Sequence, residues 1–243
     1  MNSSLPELYA DLGDIPLQRD QLDLFATDVT FVAEHKPLAI AFPRNEEDVV
    51  RIVQAACKWG TGLYARGGGL SYSAGYLPDR AGCMLIDFSA MDRILELNAQ
   101  DRYVTVEPGV TWMALRDALR PLGLTTPFWG TFSGRHATVG GAVSQGAKFF
   151  GSASRGGSAE SVLALRVVVG TAEIIQTGSA GGKNLQPFFR NYGPDLTGPF
   201  LGDCGAFGFK TAITLQLIPA LSAEAYVSFS FDDPVAQMGV MAQ

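Results

Sequence analysis

From about residue 38 to residue 219 the chain alternates short apolar runs with segments whose apolar residues recur at helical spacing. Leu38 to Phe42 is an apolar run ended by Pro43 and predicts a buried strand. Asn45 then precedes Glu46, Glu47 and Asp48, an N-cap followed by acids at the positive end of a helix dipole. Val49, Val50, Ile52, Val53, Ala56 and Cys57 make that helix's apolar face, and Gly60 closes it. Leu63 to Ala65 predicts a second strand that runs straight into Arg66-Gly67-Gly68-Gly69. Met84 to Asp87, Ile94 to Leu97 and Tyr103 to Glu107 predict three more. Thr111 caps a helix through Trp112, Leu115, Ala118 and Leu119, stopped near Pro121 and Gly123. Val162 to Val169 and Ile174 to Thr177 predict a β-ladder turning at Gly170, followed by a flexible loop from Gly178 to Gly182. Thr211 to Leu217 predicts a strand ended by Pro219. Beyond it, Tyr226 to Phe231 alternates as a strand, and Asp232 or Asp233 with Pro234 opens a helix whose apolar face begins with Val235, Met238 and Met241. A two-turn amphipathic stub two residues before the end suggests a chain cut just inside a second domain.

Composition narrows the class. At 243 residues the chain is one large domain or two small ones. With 47% apolar and 17% charged residues, it is neither disordered nor a charge-rich helical rod. Its 28 glycines follow no collagen-like period and so serve turns and close backbone approaches. A net charge of −6 argues against a dedicated nucleic-acid binder. No apolar run approaches the roughly 18 residues of a membrane span. Met1 to Asp14 lacks a basic start and an apolar stretch, so no signal peptide is expected, and Cys57, Cys83 and Cys204 suit a reducing, cytoplasmic compartment. Cys204, near Gly205, is open between a redox-active thiol and a small buried one, and the buried thiol is the expectation. His35 and His136 stand in no metal-ligand spacing, so no metal site is expected.

Charge is distributed unevenly. The 30 residues from Val49 to Pro78 hold no acid but carry Arg51, Lys58 and Arg66, and the 42 residues from Ala118 to Ala159 hold no acid but carry Arg120, Arg135, Lys148 and Arg155. The rest of the chain balances at −13. The two acid-free windows are also glycine-rich, a setting in which clustered N–H groups receive a small polyanion. Several phosphate or nucleophile motifs fail here. Gly182-Lys183 is followed by Asn184 rather than Ser or Thr, which excludes a P-loop. Gly67 and Gly69 are followed by Tyr72, not a third glycine, which excludes a dinucleotide fingerprint. Ser71, Ser158 and Ser179 each lack one glycine of a nucleophile elbow. What remains is Arg66-Gly-Gly-Gly-Leu-Ser71 after a strand and Ala137-Thr-Val-Gly-Gly-Ala142 further on, with a tight βα connection as the plain alternative for the first.

Taken in order, Pro43-x-x-x-Glu47-x-Val49, Arg66-Gly-Gly-Gly-Leu-Ser71, Val106-Glu-Pro-Gly-Val110, Ala137-Thr-Val-Gly-Gly-Ala142 and Gly202-Asp-Cys-Gly-Ala-Phe-Gly208 resemble the FAD-binding domain of the vanillyl-alcohol oxidase (PCMH-type) superfamily. Within it the chain is most similar to FAD-linked oxidases of the glycolate oxidase large-subunit and D-lactate dehydrogenase kind. The resemblance implies an α+β fold of two lobes with FAD between them. It divides the chain into an N-terminal extension (1–35), a PCMH-type domain (36–219) and the beginning of a C-terminal substrate, or cap, domain (220–243).

Carried over by position, the resemblance gives Arg66, Gly67, Gly68, Gly69, Leu70 and Ser71 to a loop wrapping the FAD pyrophosphate with backbone amides. Ser133, Thr138, Gly140, Gly141 and Ser144 match a second loop along the pyrophosphate. Glu160 falls near the ribose and phosphate side, and Gly208 and Phe209 near the adenine end. A side chain at Gly68 is expected to collide with the phosphates or to force the loop out of a φ > 0 geometry. Leu70 stands where relatives with covalent flavin carry His, so the FAD is expected to be non-covalent. Ser144-Gln145-Gly146-Ala147 replaces a stretch that often holds Asn. His136, Arg135 and Lys148 are open between phosphate contact and plain surface charge, and Trp112, Trp129 and Phe132 between flavin stacking and core filling. The implied activity is oxidation of a small 2-hydroxy acid by hydride transfer to flavin N5, with the catalytic residues outside this chain, which alone is expected to be inactive. The electron acceptor, a homo-oligomer or partner subunit, and peripheral membrane association stay open. The alternatives are an enzyme of the UDP-N-acetylenolpyruvoylglucosamine reductase type and a non-catalytic flavin-binding subunit or remnant.

Overall fold

In the computed structural model, which describes residues 5–130, 134–223, 225 and 227–241, the first lobe is built on the helix that Asn45 begins. Its elements are α1 (Leu5–Leu12), β1 (Leu17–Gln18), β2 (Ile40–Ala41), α2 (Glu46–Trp59), β3 (Gly62–Arg66) and β4 (Cys83–Asp87). The Asn45 side chain accepts the Asp48 N–H at 2.8 Å, and Gly60 ends the helix at φ 65°. Strands run in the order β1-β2-β4-β3, with β2 and β3 parallel to β4 and β1 antiparallel to β2. The apolar face of α2 (Val49, Ile52, Val53) buries against α1 (Leu8, Leu12) and against Met84 and Ile86 of β4. Asp11 of α1 accepts both Lys58 Nζ and Trp59 Nε1 at 2.7 Å, which pins the two helices together.

The second lobe contains β5 (Ile94–Asn98), β6 (Tyr103–Val106), α3 (Trp112–Leu119), β7 (Leu124–Thr125), α4 (Val139–Gln145), α5 (Ser152–Arg155), β8 (Val162–Val168), β9 (Ile174–Gln176), β10 (Phe209–Gln216) and β11 (Ile218–Pro219). Its antiparallel sheet has the order β5-β6-β10-β8-β9, with β7 and β11 paired separately. Its core gathers Trp112, Phe128, Val139, Leu165 and Ile213, with Trp112 edge-on to Phe128 at 5.2 Å. Val168 and Phe209 of this sheet bury in the core of the first lobe, and Glu46 at the start of α2 pairs with Arg166 and accepts Thr211 Oγ1 at 2.5 Å. The fold is the expected two-lobed α+β arrangement. Among the described residues no helix is long and apolar enough to cross a membrane.

Two elements depart from the pattern in the sequence. Residues 139–145 form a helix despite Gly140 and Gly141, because Thr138 caps it and a glycine is what permits the close contact described below. Residues 227–231 are not a strand; they lie exposed and pair with no strand among the described residues, and an isolated strand has no stability of its own. Tyr226 lies outside the described residues. The helix after them forms as α6 (Pro234–Met241), with Val235 and Met238 exposed.

The lobes meet where the two glycine segments touch. A Cβ on Gly68 would stand 1.8 Å from the carbonyl oxygen of His136, so the first loop lies directly on the entry to α4. The helix in turn lies on the turn after β6, where the Gly140 N–H donates to the Pro108 carbonyl at 2.9 Å and a Cβ would stand 2.6 Å from Pro108 Cβ. The constraint on Gly68 is therefore protein backbone, which corrects the expectation that a side chain there would meet phosphate or disturb a positive φ; the left-handed residue of the loop is Gly69, at φ 69°.

Gly68→Ala should lower the unfolding free energy of the ligand-free chain by about 1–3 kcal/mol, the usual cost of overpacking. Gly170→Ala, at a glycine with open space around it, should change it by less than about 0.5 kcal/mol. Denaturant titration of both checks the contrast. By the same measurement Asn45→Ala should cost about 1 kcal/mol with an unchanged m-value, the ordinary effect of losing an N-cap.

Candidate cofactor-binding site

A cavity of about 440 Å³ opens at the carboxyl end of β3, where ligands of parallel sheets bind. Three pieces of chain enclose it: the loop after β3 (66–73), α4 with its entry and exit (137–148), and the segment leading into β10 (204–210). No Asp or Glu lies on its lining, while Arg66, Lys148 and Lys210 do. The acid-free windows of the sequence thus converge in space.

The three cations are not equivalent. The Arg66 guanidinium turns back onto Asp87, which is 2% exposed, and lies 4.8 Å from the Phe25 ring centroid and 5.6 Å from that of Tyr76. It neutralises a buried carboxylate rather than offering an open fork. Lys210 is buried against Asp203, whose carboxylate also accepts the N–H groups of Gly205 (3.0 Å) and Phe207 (3.3 Å). Burial pulls the Lys210 pKa below the ordinary lysine value, while the Asp203 charge works to restore it. That pair fixes the 203–208 segment against the cavity. Lys148 is exposed and makes no ion pair among the described residues, so its charge is the available one.

The backbone supplies the donors. Among the described residues the N–H groups of Gly68, Gly69, Leu70, Ser71 and Tyr72 meet no protein acceptor. Successive amides of this kind, in a cavity without carboxylates, form an anion nest and fit the diphosphate of a dinucleotide cofactor. The amides opening α4 are used within the protein: Val139 donates to Val110, Gly140 to Pro108, and Gly141 to Thr138 Oγ1 at 3.1 Å. The helix end therefore shapes the wall with amides that already have partners within the protein.

Of the residues singled out from the sequence, Arg66 through Ser71, Thr138, Gly140, Gly141, Ser144, Gly208 and Phe209 all line this cavity. Ser133 lies outside the described residues, as does Phe132. Glu160 does not reach the cavity. It sits exposed on a short turn over Gly156 and Gly157, because its neighbours Ser158 and Ser161 take the buried positions. Arg135 and His136 are exposed on the far side of Gly67 and Gly68, facing a second cavity of about 320 Å³. Trp112 fills the core, and Trp129 lies under the Arg116 guanidinium at 5.5 Å. Cys204 is exposed and lines the cavity, so the expected buried thiol is corrected: its N–H is held by the Ser144 carbonyl in a turn at φ 51° that turns the side chain out of the core. Tyr76, Gln145 and Lys210 also line the site without any motif to announce them. Among the described residues no group of three or more His, Cys, Asp or Glu side chains is placed to hold a metal ion.

Residues 37–178 match the family of the FAD binding domain. The mitochondrial D-lactate dehydrogenase (cytochrome) of Arabidopsis thaliana is 31% identical over 195 residues, covering 79% of this chain and 33% of that protein. Glycolate oxidase subunit GlcD of Bacillus subtilis is 28% identical over 196 residues, covering 81% of this chain and 40% of that protein. The chain thus spans two fifths or less of the length of these relatives. Among solved structures, p-cresol methylhydroxylase with substrate bound superposes with a TM-score of 0.76 at 23% identity, over 91% of this chain and 44% of that one. The 4-ethylphenol oxidase of Gulosibacter chungangensis superposes with 0.75 at 23% identity, over 92% and 44%. With the family's match running through both glycine segments, and a carboxylate-free cavity between them, the chain belongs to the PCMH-type FAD binding domain family, and its cofactor is FAD.

Proposed function

We propose that this chain is the FAD-binding part of an oxidoreductase that oxidises a small 2-hydroxy acid of the D-lactate or glycolate kind. The observation that carries the cofactor half is the row of acceptor-less amides from Gly68 to Tyr72 in a cavity without carboxylates. The substrate half is supported by the names of the relatives, the D-lactate dehydrogenase and the glycolate oxidase subunit. FAD, when bound, supplies the acceptor for a hydride from the carbinol carbon of the substrate.

The protein's own contribution is binding and orientation. The Gly68–Tyr72 amides hold the diphosphate, and the unpaired Lys148 ammonium adds to the favourable field. The Asp203–Lys210 pair keeps Gly208 and Phe209 in place along the wall. Leu70 offers no nucleophile for a covalent bond to the flavin, so the FAD is held non-covalently. Among the described residues neither histidine lines the main cavity, and no carboxylate does, and in this reading the base for the hydroxyl proton and the clamp for the substrate carboxylate come from the substrate domain. Residues 36–219 are the FAD domain in this reading, 1–35 an extension upon it, and 220–243 the beginning of a substrate domain that supplies those groups. The three free cysteines agree with a reducing, cytoplasmic setting.

Acid precipitation of the purified chain, followed by reverse-phase chromatography, should release FAD entirely into the supernatant. FMN or an absence of flavin would overturn the cofactor assignment, and colour kept in the pellet would overturn non-covalent binding. Mixed anaerobically with D-lactate, glycolate or D-2-hydroxyglutarate, the loaded chain should keep its oxidised flavin spectrum. Rapid bleaching by any of them would place the catalytic groups within this chain and refute the division of labour.

A further inference from the structure

The family match begins at residue 37, yet the glycine loop is held from outside by residues that precede it. Residues 26–33 form a small hairpin, closed by the Ala33 N–H to the Ala26 carbonyl at 2.7 Å, the Asp28 N–H to the Phe31 carbonyl at 2.9 Å, and a bridge between Thr27 and Val32. Four links run from this region to the segment 66–76. Val29 N–H donates to the Ser71 carbonyl at 3.0 Å. Ala74 N–H donates to Asp28 Oδ2 at 2.8 Å. The buried Tyr76 hydroxyl stands 2.7 Å from the Thr27 carbonyl and 3.2 Å from the Gly69 carbonyl, sharing its one proton between them. The Phe25 ring lies against the Arg66 guanidinium.

Two of these links engage loop carbonyls, those of Gly69 and Ser71, and that decides where the amides after them go. In a trans peptide the C=O of one residue and the N–H of the next point in opposite directions. A Gly69 carbonyl bonded toward Tyr76 sends the Leu70 N–H the other way, and a Ser71 carbonyl bonded toward Val29 does the same for the Tyr72 N–H. Both residues line the main cavity. The geometry points to the 26–33 hairpin, acting through Asp28 and Tyr76, as the outer clamp that pre-orients the glycine-loop amides for the FAD diphosphate. Asp28 and the Tyr76 hydroxyl are positioning groups: Asp28 is not on the cavity lining, and the hydroxyl of Tyr76, whose residue does line it, is spent on the Thr27 and Gly69 carbonyls. Burial raises the Tyr76 pKa, which keeps the hydroxyl a protonated donor. This inference rests on the reading that FAD occupies the main cavity.

Two substitutions isolate the clamp. Asp28 Oδ1 accepts Thr30 and Phe31 N–H within the hairpin, whereas Oδ2 alone reaches Ala74. Asp28→Asn therefore keeps the hairpin turn and loses only the link to Ala74. Tyr76→Phe keeps the ring beside Arg66 and loses only the hydroxyl. Each should weaken FAD binding by the apoprotein about tenfold, the effect of losing one pre-orienting hydrogen bond. Val32→Ser, at the exposed base of the same hairpin, should leave affinity unchanged. In the flavin-free chain, hydrogen exchange at the Val29 and Ala74 amides, which donate across the links, should rise in the first two variants and stay as in the parent in the third, with all three melting like the parent. Unchanged exchange and unchanged FAD affinity in Asp28→Asn and Tyr76→Phe would overturn the clamp. A parent chain that takes up no FAD would instead overturn the cofactor reading, while the exchange comparison still decides whether the hairpin orients the loop.

Discussion

The contact on which the rest depends is the seating of the Gly68 backbone on the carbonyl of His136. There is no room between them for even a methyl group. Because Gly68 belongs to the loop after β3 and His136 to the entry of α4, this one approach fixes the separation of the lobes at the cavity. Its effects propagate through Gly140, which rests on Pro108, so the turn after β6, the start of α4 and the glycine loop form one stack of backbone. Glycine within α4 is unfavourable by about 1 kcal/mol per residue against alanine, and the stack is the compensation.

Within that frame the site handles charge in an economical way. Buried or half-buried cations at the cavity are matched by carboxylates placed behind the wall, Arg66 by Asp87 and Lys210 by Asp203. Breaking either pair by removing one partner would strand a charge in a poorly solvated place, at a typical cost of 3–5 kcal/mol. Attraction for an anion is left to unpaired amides and to Lys148. Amides carry no desolvation penalty comparable to that of a buried ion, and a rigid loop presents them already oriented, so little is lost in ordering them on binding.

Much of this was legible along the chain. The Asn45 cap, the acids of the first turn and the spacing of Val49, Ile52 and Val53 each describe α2 correctly, since they are local effects within one or two turns. The strands from Leu63 to Asp87 and from Tyr103 to Thr177 follow from short apolar runs between turn residues. The two acid-free windows marked the pieces that would share a cavity. Other features were not legible. The alternation of residues 227–231 looks like a strand but finds no edge to join, and Glu160, acceptable by position, is turned to solvent by the serines beside it.

By itself the sequence determined α2 and the strands of the two main sheets from Leu63 to Leu217, the two glycine loops, the absence of carboxylates around them and the family they denote, because each is carried by neighbouring residues or by composition. Tertiary structure alone decided that Gly68 is required by a carbonyl 68 residues away, that Lys210 is buried on Asp203, that Cys204 faces the cavity and that Tyr76 and Asp28 hold the loop by hydrogen bonds. The physical reason is the same in every case. A hydrogen bond or a steric contact between segments distant in the chain is set by where packing of the cores delivers their backbones, and no periodicity or motif within either segment encodes that meeting.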